Sequence, residues 1–290
     1  MNTTEKKVLS VQDISCFGQC SLTVALPIIS ACGIETAILP SAVLSTHTGG
    51  FTGYTFRDLT EDIPGIVAHW EKEHIAFDAI YTGYLGSARQ IRMVADLFGR
   101  VAKPGCEKIV DPAMADAGRL YPGFDMAFAA KMAELAGRAD IVLPNITEAA
   151  LLTGLPYREA GYDESYILAL INGLRALGAG AVVMTGVSYR EGEIGVAVVE
   201  KGQETPTCYF HEKLPENSHG TGDIFASAFT GARMRGLSMA DAARIAADFT
   251  VAGMKATIGD PAHRYGTKFE KAIPALIAAL DAATAEPASH

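Results

Sequence analysis

Strand-like and helical segments alternate along almost the whole chain, and this alternation limits the fold more than any other feature. Short apolar runs such as Lys7–Val11 and Asp78–Thr82 predict buried strands, and each precedes a segment with helical periodicity. Strands that alternate with helices form βαβ units, whose sheet is mainly parallel and covered on both faces. Only Gly195–Glu200 and Thr205–Phe210 predict a hairpin. We therefore predict an α/β fold.

The length of the chain, 290 residues, suits either two domains or one large α/β domain. No linker rich in proline, glycine or serine divides it and no internal repeat is visible, so we predict one domain over residues 1–290. Acidic residues outnumber basic ones by 33 to 24, which gives a formal net charge of −9. This charge argues against a nucleic-acid-binding protein and against a polybasic membrane anchor, because both need clustered lysine and arginine.

Cysteine usage and the N-terminus indicate the cellular compartment. The five cysteines include no C-x-x-C pair and their number is odd, which does not predict a disulfide framework. Met1–Lys7 is polar and unlike a signal peptide. The uncharged stretch Ile14–Ile34 contains Gly18 and Pro27 and is too polar for a membrane span. We therefore expect a protein of the reducing cytoplasm that has no membrane partner.

The predicted sheet also indicates where a ligand would bind. In open parallel sheets, ligands lie outside the carboxyl ends of the strands. This rule selects the loops that start at Asp13, Leu44, Gly83, Asp111, Asn145 and Gly186. We therefore expect the functional residues to come from these loops, which meet at one edge of the sheet.

The motif His219-Gly220-Thr221-Gly222-Asp223 stands directly before the helical run Ile224–Phe229. Two glycines allow a tight turn, and the start of a helix presents N–H groups that bind anions. An aspartate at this place can accept the proton of a hydroxyl that lies beside a phosphate. Threonine and aspartate also cap ordinary helices, so the motif alone leaves both a phosphate site and a simple helix cap open.

Two further polar motifs follow predicted strands. Asp111 and Asp116 lie on either side of the turn 112–115, and two carboxylates placed in this way can hold Mg²⁺ through water. Asn145 can hydrogen-bond a phosphate or a metal-bound water, and Glu148 can reach the same metal. The structural alternatives are a proline turn for the first motif and a helix cap for the second.

Several familiar signatures are missing from the sequence. It contains no G-K-[ST] element, which excludes a Walker P-loop, and no His-Glu-x-x-His metal motif. The loop after the first predicted strand, Asp13–Cys20, has Gly18 as its only glycine. A dinucleotide fingerprint needs three glycines there, so a nicotinamide dehydrogenase is disfavoured.

The motifs occur in a distinctive order along the chain. This order is Gln12-Asp13, Ser45-Thr46-His47-Thr48-Gly49, Thr82-Gly83-Tyr84-Leu85-Gly86-Ser87, Asp111-Pro112-Ala113-Met114, Pro144-Asn145 and Gly220-Thr221-Gly222-Asp223. In this respect the chain resembles the ribokinase-like superfamily and, within it, the pyridoxal kinase (vitamin B6 kinase) family. The resemblance covers about Val8 to Thr257. Its Gly-Thr-Gly-Asp element is superfamily-wide, whereas Ser-x-His-Thr and Thr-Gly-Tyr-Leu-Gly are more specific to pyridoxal kinases.

The resemblance implies a doubly wound sheet, with helices on both faces, and a homodimer whose active sites each lie within one subunit. It implies Mg²⁺ and ATP as the phosphoryl donor, and it leaves open a monovalent cation such as K⁺. The acceptor it implies is the 5′-hydroxymethyl group of pyridoxal, pyridoxine or pyridoxamine. Phosphoryl transfer needs mainly positioning and charge neutralisation, which helix N–H groups and Mg²⁺ provide.

The resemblance also implies roles for individual residues. Asp223 matches the catalytic base, and Gly220, Thr221 and Gly222 match the anion hole. Residues that match the acceptor site are Asp13, His47, Thr48 and Tyr84. Residues that match the nucleotide site are Asp111, Asn145, Glu148, Thr185, Lys213 and Leu214, and those that match the metal site are Asp111, Asp116 and Glu148.

One departure from the family pattern bears on the substrate. Pyridoxal kinases commonly have serine at position 13, where this chain has Asp13, and the related hydroxymethylpyrimidine kinases have an aspartate in that loop. Those kinases, however, usually have cysteine in place of Asp223. A hydroxymethylpyrimidine kinase of thiamine synthesis is therefore the alternative enzyme. A non-catalytic protein that binds B6 vitamers or nucleotides is a third possibility, but such a binder has no need of Asp223.

Overall fold

Nine strands in the described part of the chain form one twisted sheet. The structure, a computed structural model, describes residues 5–215 and 218–285. The strands are β1 (Lys7–Ser15), β2 (Glu35–Leu44), β3 (Phe56–Asp58), β4 (Phe77–Thr82), β5 (Ala102–Val110), β6 (Ala115–Asp116), β7 (Arg119–Leu120), β8 (Ile141–Val142), β9 (Ala181–Val187), β10 (Glu193–Val199) and β11 (Thr207–Glu212). Strands β6 and β7 form a separate two-stranded hairpin.

Helices follow most of the strands, as the alternating pattern predicts. They are α1 (Leu22–Ala31), α2 (Ile63–Lys72), α3 (Ala88–Arg100), α4 (Met126–Ala136), α5 (Ile146–Thr153), α6 (Glu164–Ala176), α7 (Thr221–Met234), α8 (Met239–Thr257) and α9 (Ile273–Ala285). No helix within residues 5–215 and 218–285 is long and apolar enough to cross a membrane.

The strand order in the main sheet is β11-β10-β9-β8-β5-β4-β1-β2-β3. The six strands from β9 to β2 pair in parallel, whereas β10 is antiparallel to both neighbours and β3 is antiparallel to β2. The predicted mainly parallel α/β sheet is therefore confirmed. The predicted hairpin is also confirmed, since β10 and β11 pair antiparallel.

Two apolar layers cover the faces of this sheet. One layer packs helices α2 to α6 against side chains such as Leu9 and Val11, and the other packs α1, α7, α8 and α9 against side chains such as Val8 and Tyr81. Successive side chains of a strand point to opposite faces, so β1 contributes to both layers. Because both faces are buried, the parallel strands read as continuous apolar runs in the sequence.

Strand β1 is longer than the sequence predicts. We expected it to end at Val11, with Asp13 in the following loop, but it continues to Ser15. Its register with β2 shifts between Gln12 and Ile14, so Asp13 lies in the strand at a local irregularity. A charged residue interrupts the apolar pattern from which strands are predicted, which is why the prediction stops too early.

The C-terminal helix also differs from the prediction. We expected one helix over Phe269–Ala283, but the structure has a short 3₁₀ turn at Phe269–Lys271 and then α9 from Ile273. Pro274 stands at the second position of α9. Proline has no N–H to bond to a preceding turn, so it is favoured at the start of a helix.

Candidate active site

The carboxyl ends of the parallel strands bring most of the predicted site residues to one edge of the sheet. From one side of the sheet to the other, the residues at this edge are His47 and Thr48 after β2, Asp13 near the end of β1, Tyr84 after β4, Asp111 after β5, Asn145 after β8 and Thr185 in β9. Lys213 and Leu214 follow β11, whose end pairs with the start of β10 at the same edge. Asp223 and Glu148 reach this edge from the first turns of α7 and α5.

Asp223 is held by a backbone group from a distant part of the chain. Its Oδ2 accepts a hydrogen bond of 2.9 Å from the backbone N–H of Ser21, just before α1. The Asp223 carbonyl accepts a second bond from the Ser227 hydroxyl, one turn later in α7. The carboxylate is thus fixed through one oxygen, and Oδ1 remains available to accept a proton.

The start of α7 has the form of an anion-binding turn. Gly220 has a φ of 78°, and a Cβ at this position would lie 1.8 Å from the carbonyl oxygen of Gln19, so a larger residue does not fit. Among the residues that the structure describes, no side chain caps this helix. Asp223 bonds to Ser21 instead of its own helix, so it does not act as a simple helix cap. Within residues 5–215 and 218–285, no side chain occupies the first-turn N–H groups at Thr221 and Gly222, which suits an anion.

Burial tunes the acidity of Asp223. Loss of hydration is the main cause that raises its pKa, the Ser21 hydrogen bond opposes this, and the negative charge of Asp13 adds a smaller rise, so that the pKa moves from the ordinary value near 3.8 to about 6. The carboxylate is therefore ionised at neutral pH but remains a much better proton acceptor than an exposed aspartate. A pKa close to the working pH suits a general base.

Asp13 lies nearby and is almost completely buried, with 4% of its surface exposed. Its Oδ2 accepts a hydrogen bond of 3.0 Å from the Ser15 hydroxyl. Burial raises its pKa, and hydrogen bonds from Ser21 and Ser15 partly offset this. Burial also raises the pKa of Tyr84 to about 12, with a further contribution from the negative charge of Asp13. A buried carboxylate on β1 and a neutral phenol after β4 therefore lie within electrostatic reach of each other at this edge.

Glu148 supports the loop that follows β5. Its Oε1 accepts hydrogen bonds from the backbone N–H groups of Met114 and Ala115, and its Oε2 accepts one from Asn145. Asn145 caps α5 through its Oδ1 and donates from Nδ2 to the Ala115 carbonyl. The helix-cap alternative is therefore correct for these two residues in this structure. Their predicted contacts with the nucleotide and the metal stay predictions.

Asp111 and Glu148 form a buried pair of acids. Asp111 is 8% exposed and Glu148 is 3% exposed. Burial and the negative charges of Glu148 and Asp223 raise the pKa of Asp111, and burial raises that of Glu148 to about 7. Asp116 lies at the outer side of this group, where it is exposed and accepts a bond from the N–H of Ala117.

The acidic groups have no positive partner in the described chain. Within residues 5–215 and 218–285, none of Asp13, Asp111, Glu148 and Asp223 forms an ion pair with a basic side chain. The same residues contain no group of three or more side chains arranged to enclose a metal ion. Two buried carboxylates that do not surround a metal ion on all sides suit Mg²⁺, because this ion keeps several bound waters and takes its remaining ligands from substrate phosphates.

The nucleotide-side residues predicted from the resemblance lie along the same edge but make fewer side-chain contacts. Thr185 bridges to Asn145, and its N–H donates to the Pro144 carbonyl at 2.9 Å. Lys213 is exposed, and its N–H donates to the Gly192 carbonyl at 2.8 Å. Leu214 is partly buried beside it. These positions are compatible with a nucleotide that lies across β9 to β11.

An open cavity of about 630 Å³ lies beside the loop after β2, on the side of the edge where the resemblance places the acceptor. Its walls are Thr48, Gly50, Phe51, Thr52, Gly53, Tyr54 and Pro122. Tyr84 stacks on Phe124, with 5.4 Å between the ring centroids. His47 is buried behind this loop, in contact with Phe51 at 5.0 Å between the ring centroids. A flat heteroaromatic ring suits a cavity with such walls.

Three contributors to this site are absent from our sequence predictions. Ser21 holds Asp223 through its backbone, and no side-chain pattern signals such a contact. Phe51 and Tyr54 line the cavity beside the loop after β2, and their signal in the sequence is the uncharged run of residues 36–56, which suits buried strands and a helix as well as the wall of a ligand cleft.

Comparison with known proteins gives a consistent result. Residues 54–266 match the phosphomethylpyrimidine kinase family model. A protein from Bacteroides thetaiotaomicron described as a phosphomethylpyrimidine kinase, in a crystal form with pyridoxal, is 37% identical with a TM-score of 0.89, covering 94% of this chain and 96% of its own. Pyridoxal kinase from Lactobacillus plantarum is 32% identical with a TM-score of 0.86, covering 94% and 97%. A pyridoxine/pyridoxal/pyridoxamine kinase from Bordetella avium is 28% identical over 86% of this chain and 85% of its own.

Proposed function

The chain belongs to the phosphomethylpyrimidine kinase family, and from that premise we propose that it is a pyridoxal kinase. It transfers the γ-phosphoryl group of ATP to the 5′-hydroxymethyl group of pyridoxal, pyridoxamine or pyridoxine. The similarity to the pyridoxal kinase from Lactobacillus plantarum and to the Bacteroides protein crystallised with pyridoxal supports this acceptor class. The reaction makes pyridoxal 5′-phosphate available by salvage of the vitamin.

The observation that carries the proposal is the placement of Asp223 at the uncapped start of α7. Ser21 fixes one carboxylate oxygen, so Oδ1 can accept the proton of the acceptor hydroxyl. The hydroxyl oxygen then attacks the γ-phosphorus, and the bond between that phosphorus and the leaving ADP oxygen breaks. The N–H groups of Thr221 and Gly222 stabilise the charge on the transferred group.

The remaining carboxylates have a supporting role in this proposal. Asp111 and Glu148, with Asp116 at the outer side, hold Mg²⁺ through its bound waters. When bound, Mg²⁺ neutralises charge on the phosphates of ATP. On the protein side, Glu148 keeps the backbone at Met114 and Ala115 in place, so the loop after β5 is ordered before the nucleotide arrives.

Asp13 makes a hydroxymethylpyrimidine kinase the second candidate. Its carboxylate has no basic partner among the described residues and can accept a hydrogen bond from an amino group or a protonated ring nitrogen. Pyridoxamine and hydroxymethylpyrimidine both carry an amino group, and the family to which the chain belongs takes its description from the pyrimidine reaction. We rank this candidate second because the base position holds Asp223, where hydroxymethylpyrimidine kinases usually have cysteine.

A coupled assay of ADP release separates these functions. The purified protein is given ATP and Mg²⁺ with pyridoxal, pyridoxamine, pyridoxine or hydroxymethylpyrimidine, each in turn. We expect the best B6 vitamer to exceed hydroxymethylpyrimidine in kcat/KM by at least about 10-fold, which corresponds to ~1.4 kcal/mol. The reverse preference would establish the pyrimidine kinase. Nucleotide binding without transfer to any of the four acceptors would establish a non-catalytic binder.

Assembly as a homodimer is part of the same proposal, and it rests on the family resemblance. Each active site is formed within one subunit, since Asp13, Asp111, Glu148 and Asp223 all meet at one edge of one sheet. Sedimentation at micromolar concentration is expected to give the mass of two chains. A single species with the mass of one chain would contradict the dimer but leave the proposed reaction unaffected.

A further inference from the structure

Seven residues between α8 and α9, numbers 260–266, cross over the acceptor side of the site. We call this segment the strap. It is internally ordered, because Asp260 accepts a hydrogen bond from the N–H of Ala262 and pairs with Lys268. The His263 ring is bonded to the carbonyl of Gly266 at 2.9 Å. None of the roles assigned to the sequence motifs falls in this segment.

The backbone carbonyl of Tyr265 joins the strap to two acceptor-side loops. It accepts a hydrogen bond of 3.1 Å from the N–H of Gln19 and another of 2.9 Å from Nε2 of His47. Because a carbonyl can only accept, His47 carries its proton on Nε2 here. One atom of the strap thus fixes the loop after β1 and also the tautomer and orientation of His47.

The strap also packs closely against the loop after β1 and the loop after β2. Gly266 has a φ of 142°, and a Cβ at this position would lie 2.4 Å from the Cβ of Gln19. The rings of Tyr265 and Phe17 are 4.6 Å apart between centroids. The guanidinium of Arg264 lies 5.6 Å from the centroid of the Phe51 ring, which places a cation over the aromatic face.

The loop after β1 and the loop after β2 in turn contact residues of the candidate site. The Gln19 carbonyl leaves room only for glycine at Gly220, in the anion-binding turn. The His47 ring is 5.4 Å from the ring of His219, directly before that turn, and it also contacts Phe51 in the wall of the acceptor cavity. The strap therefore touches the supports of the acceptor site. Apart from the anion-binding turn itself, the residues that would hold the nucleotide and the metal lie farther along the edge, from β5 to β11.

We propose that the strap is a positioning element for the acceptor, and that its docking on Gln19 and His47 sets acceptor affinity independently of nucleotide affinity. This proposal deepens the proposed function and rests on it for the identity of the acceptor. The strap does not take part in the chemistry. It acts through the loop after β1 and through Phe51, whose positions define the cavity wall.

Gly266 in the strap and Gly259 directly before it provide a matched test. Gly266→Ala places a methyl group against Gln19, whereas Gly259→Ala, at a φ of 79°, has open space within 4 Å. Both variants carry the strain of a side chain at positive φ, and only the first displaces the strap. We expect Gly266→Ala to raise the KM for pyridoxal about 10-fold, with the KM for ATP within about 2-fold of wild type. For Gly259→Ala we expect the KM for pyridoxal and the KM for ATP to stay near the wild-type values.

Hydrogen–deuterium exchange tests the same proposal without any reference to activity. In Gly266→Ala, amides of residues 16–20 and 45–51 are expected to lose protection, while those of α5 and β9 keep it. Should Gly266→Ala fail to fold, Tyr265→Ala removes the stacking on Phe17, and Tyr209→Ala on β11 is its control. Unchanged protection in residues 16–20 and 45–51, or equal increases in both KM values, would overturn the proposal. If Gly266→Ala loses this protection but the wild-type protein is inactive on B6 vitamers, the proposed role of the strap is supported and only the proposed function is refuted.

Discussion

Asp223 and Ser21 are joined by a hydrogen bond of 2.9 Å between residues that are 202 positions apart in the chain. The N–H of Ser21 points at the carboxylate because Ser21 has a φ of 55°, a left-handed conformation that costs a non-glycine residue about 1–3 kcal/mol. The bond locks one oxygen of Asp223 and leaves the other for a substrate hydroxyl. The position of the proposed base is therefore set by the start of α1 as well as by its own helix.

The pKa of Asp223, near 6, predicts the acid limb of the pH profile. The carboxylate accepts a proton only when ionised, so kcat is expected to fall as the pH drops below about 6. Asp13 contributes to the raised pKa through its negative charge, so Asp13→Asn is expected to move this limb to lower pH. The measurement is kcat from pH 5 to 8 for both proteins at saturating substrates. If the acid limb moves to higher pH in Asp13→Asn, the assignment of this limb to Asp223 is contradicted.

Burial of Asp223 also has a cost in stability that depends on pH. Its pKa is higher in the folded state than in the unfolded state, so the folded protein binds more protons between about pH 4 and 6. Stability is therefore lost as the pH rises through this window, and the penalty is complete above it. Asp223→Asn keeps an acceptor for Ser21 and is expected to stabilise the protein by about 1–3 kcal/mol at pH 8. Urea unfolding at pH 5 should show a smaller gain. An equal gain in the free energy of unfolding at pH 5 and pH 8 would refute this pH dependence.

Asp13→Ser tests whether the buried carboxylate selects the acceptor. A charge-assisted bond to an amino group or a ring N–H⁺ is worth about 1.5–3 kcal/mol. Its loss is expected to lower kcat/KM for pyridoxamine and hydroxymethylpyrimidine by about 10–150-fold, and for pyridoxal by less. Steady-state kinetics on the four acceptors provides the comparison, and Asp96→Ser, on the exposed face of α3, is the control. An equal loss for every acceptor would make Asp13 a structural residue.

Glu148→Gln tests the metal assignment. The amide keeps one oxygen for the backbone N–H groups but removes a negative charge from the buried pair with Asp111. We expect the Mg²⁺ concentration for half-maximal activity to rise several-fold, with little change in the KM for pyridoxal. Glu164→Gln, on the exposed start of α6, should leave the Mg²⁺ titration unchanged. If Glu148→Gln titrates like wild type, Glu148 supports the loop after β5 and has no role at the metal.

The local features of this fold could be predicted from the sequence because their causes are local. Apolar periodicity marked the strands and helices, and Ser87 caps α3 by accepting a hydrogen bond of 3.2 Å from the N–H of Gln90, three residues later. The rule that ligands bind beyond the carboxyl ends of parallel strands then selects one edge of the sheet for the candidate site. Asp13, Asp111 and Asn145 all lie at that edge.

The features that could not be predicted depend on residues far apart in the chain. The extension of β1 through Asp13 accompanies a register shift against β2, and β2 in turn pairs with β3, a short strand of three exposed residues. The bond from Ser21 to Asp223 and the docking of the strap on Gln19 join segments separated by more than 200 residues. In each of these contacts at least one partner is a backbone group, and the pattern of side chains in a sequence does not reveal which backbone groups meet.

The central claim, that Asp223 is the base of an ATP-dependent B6 vitamer kinase, is tested most directly by the kcat of Asp223→Asn with pyridoxal and ATP. Asparagine keeps the size of the side chain and the bond to Ser21 but cannot take a proton. We predict a fall in kcat of at least about 100-fold, with ADP affinity by calorimetry within about 3-fold of wild type. A variant that retains wild-type kcat would contradict the claim.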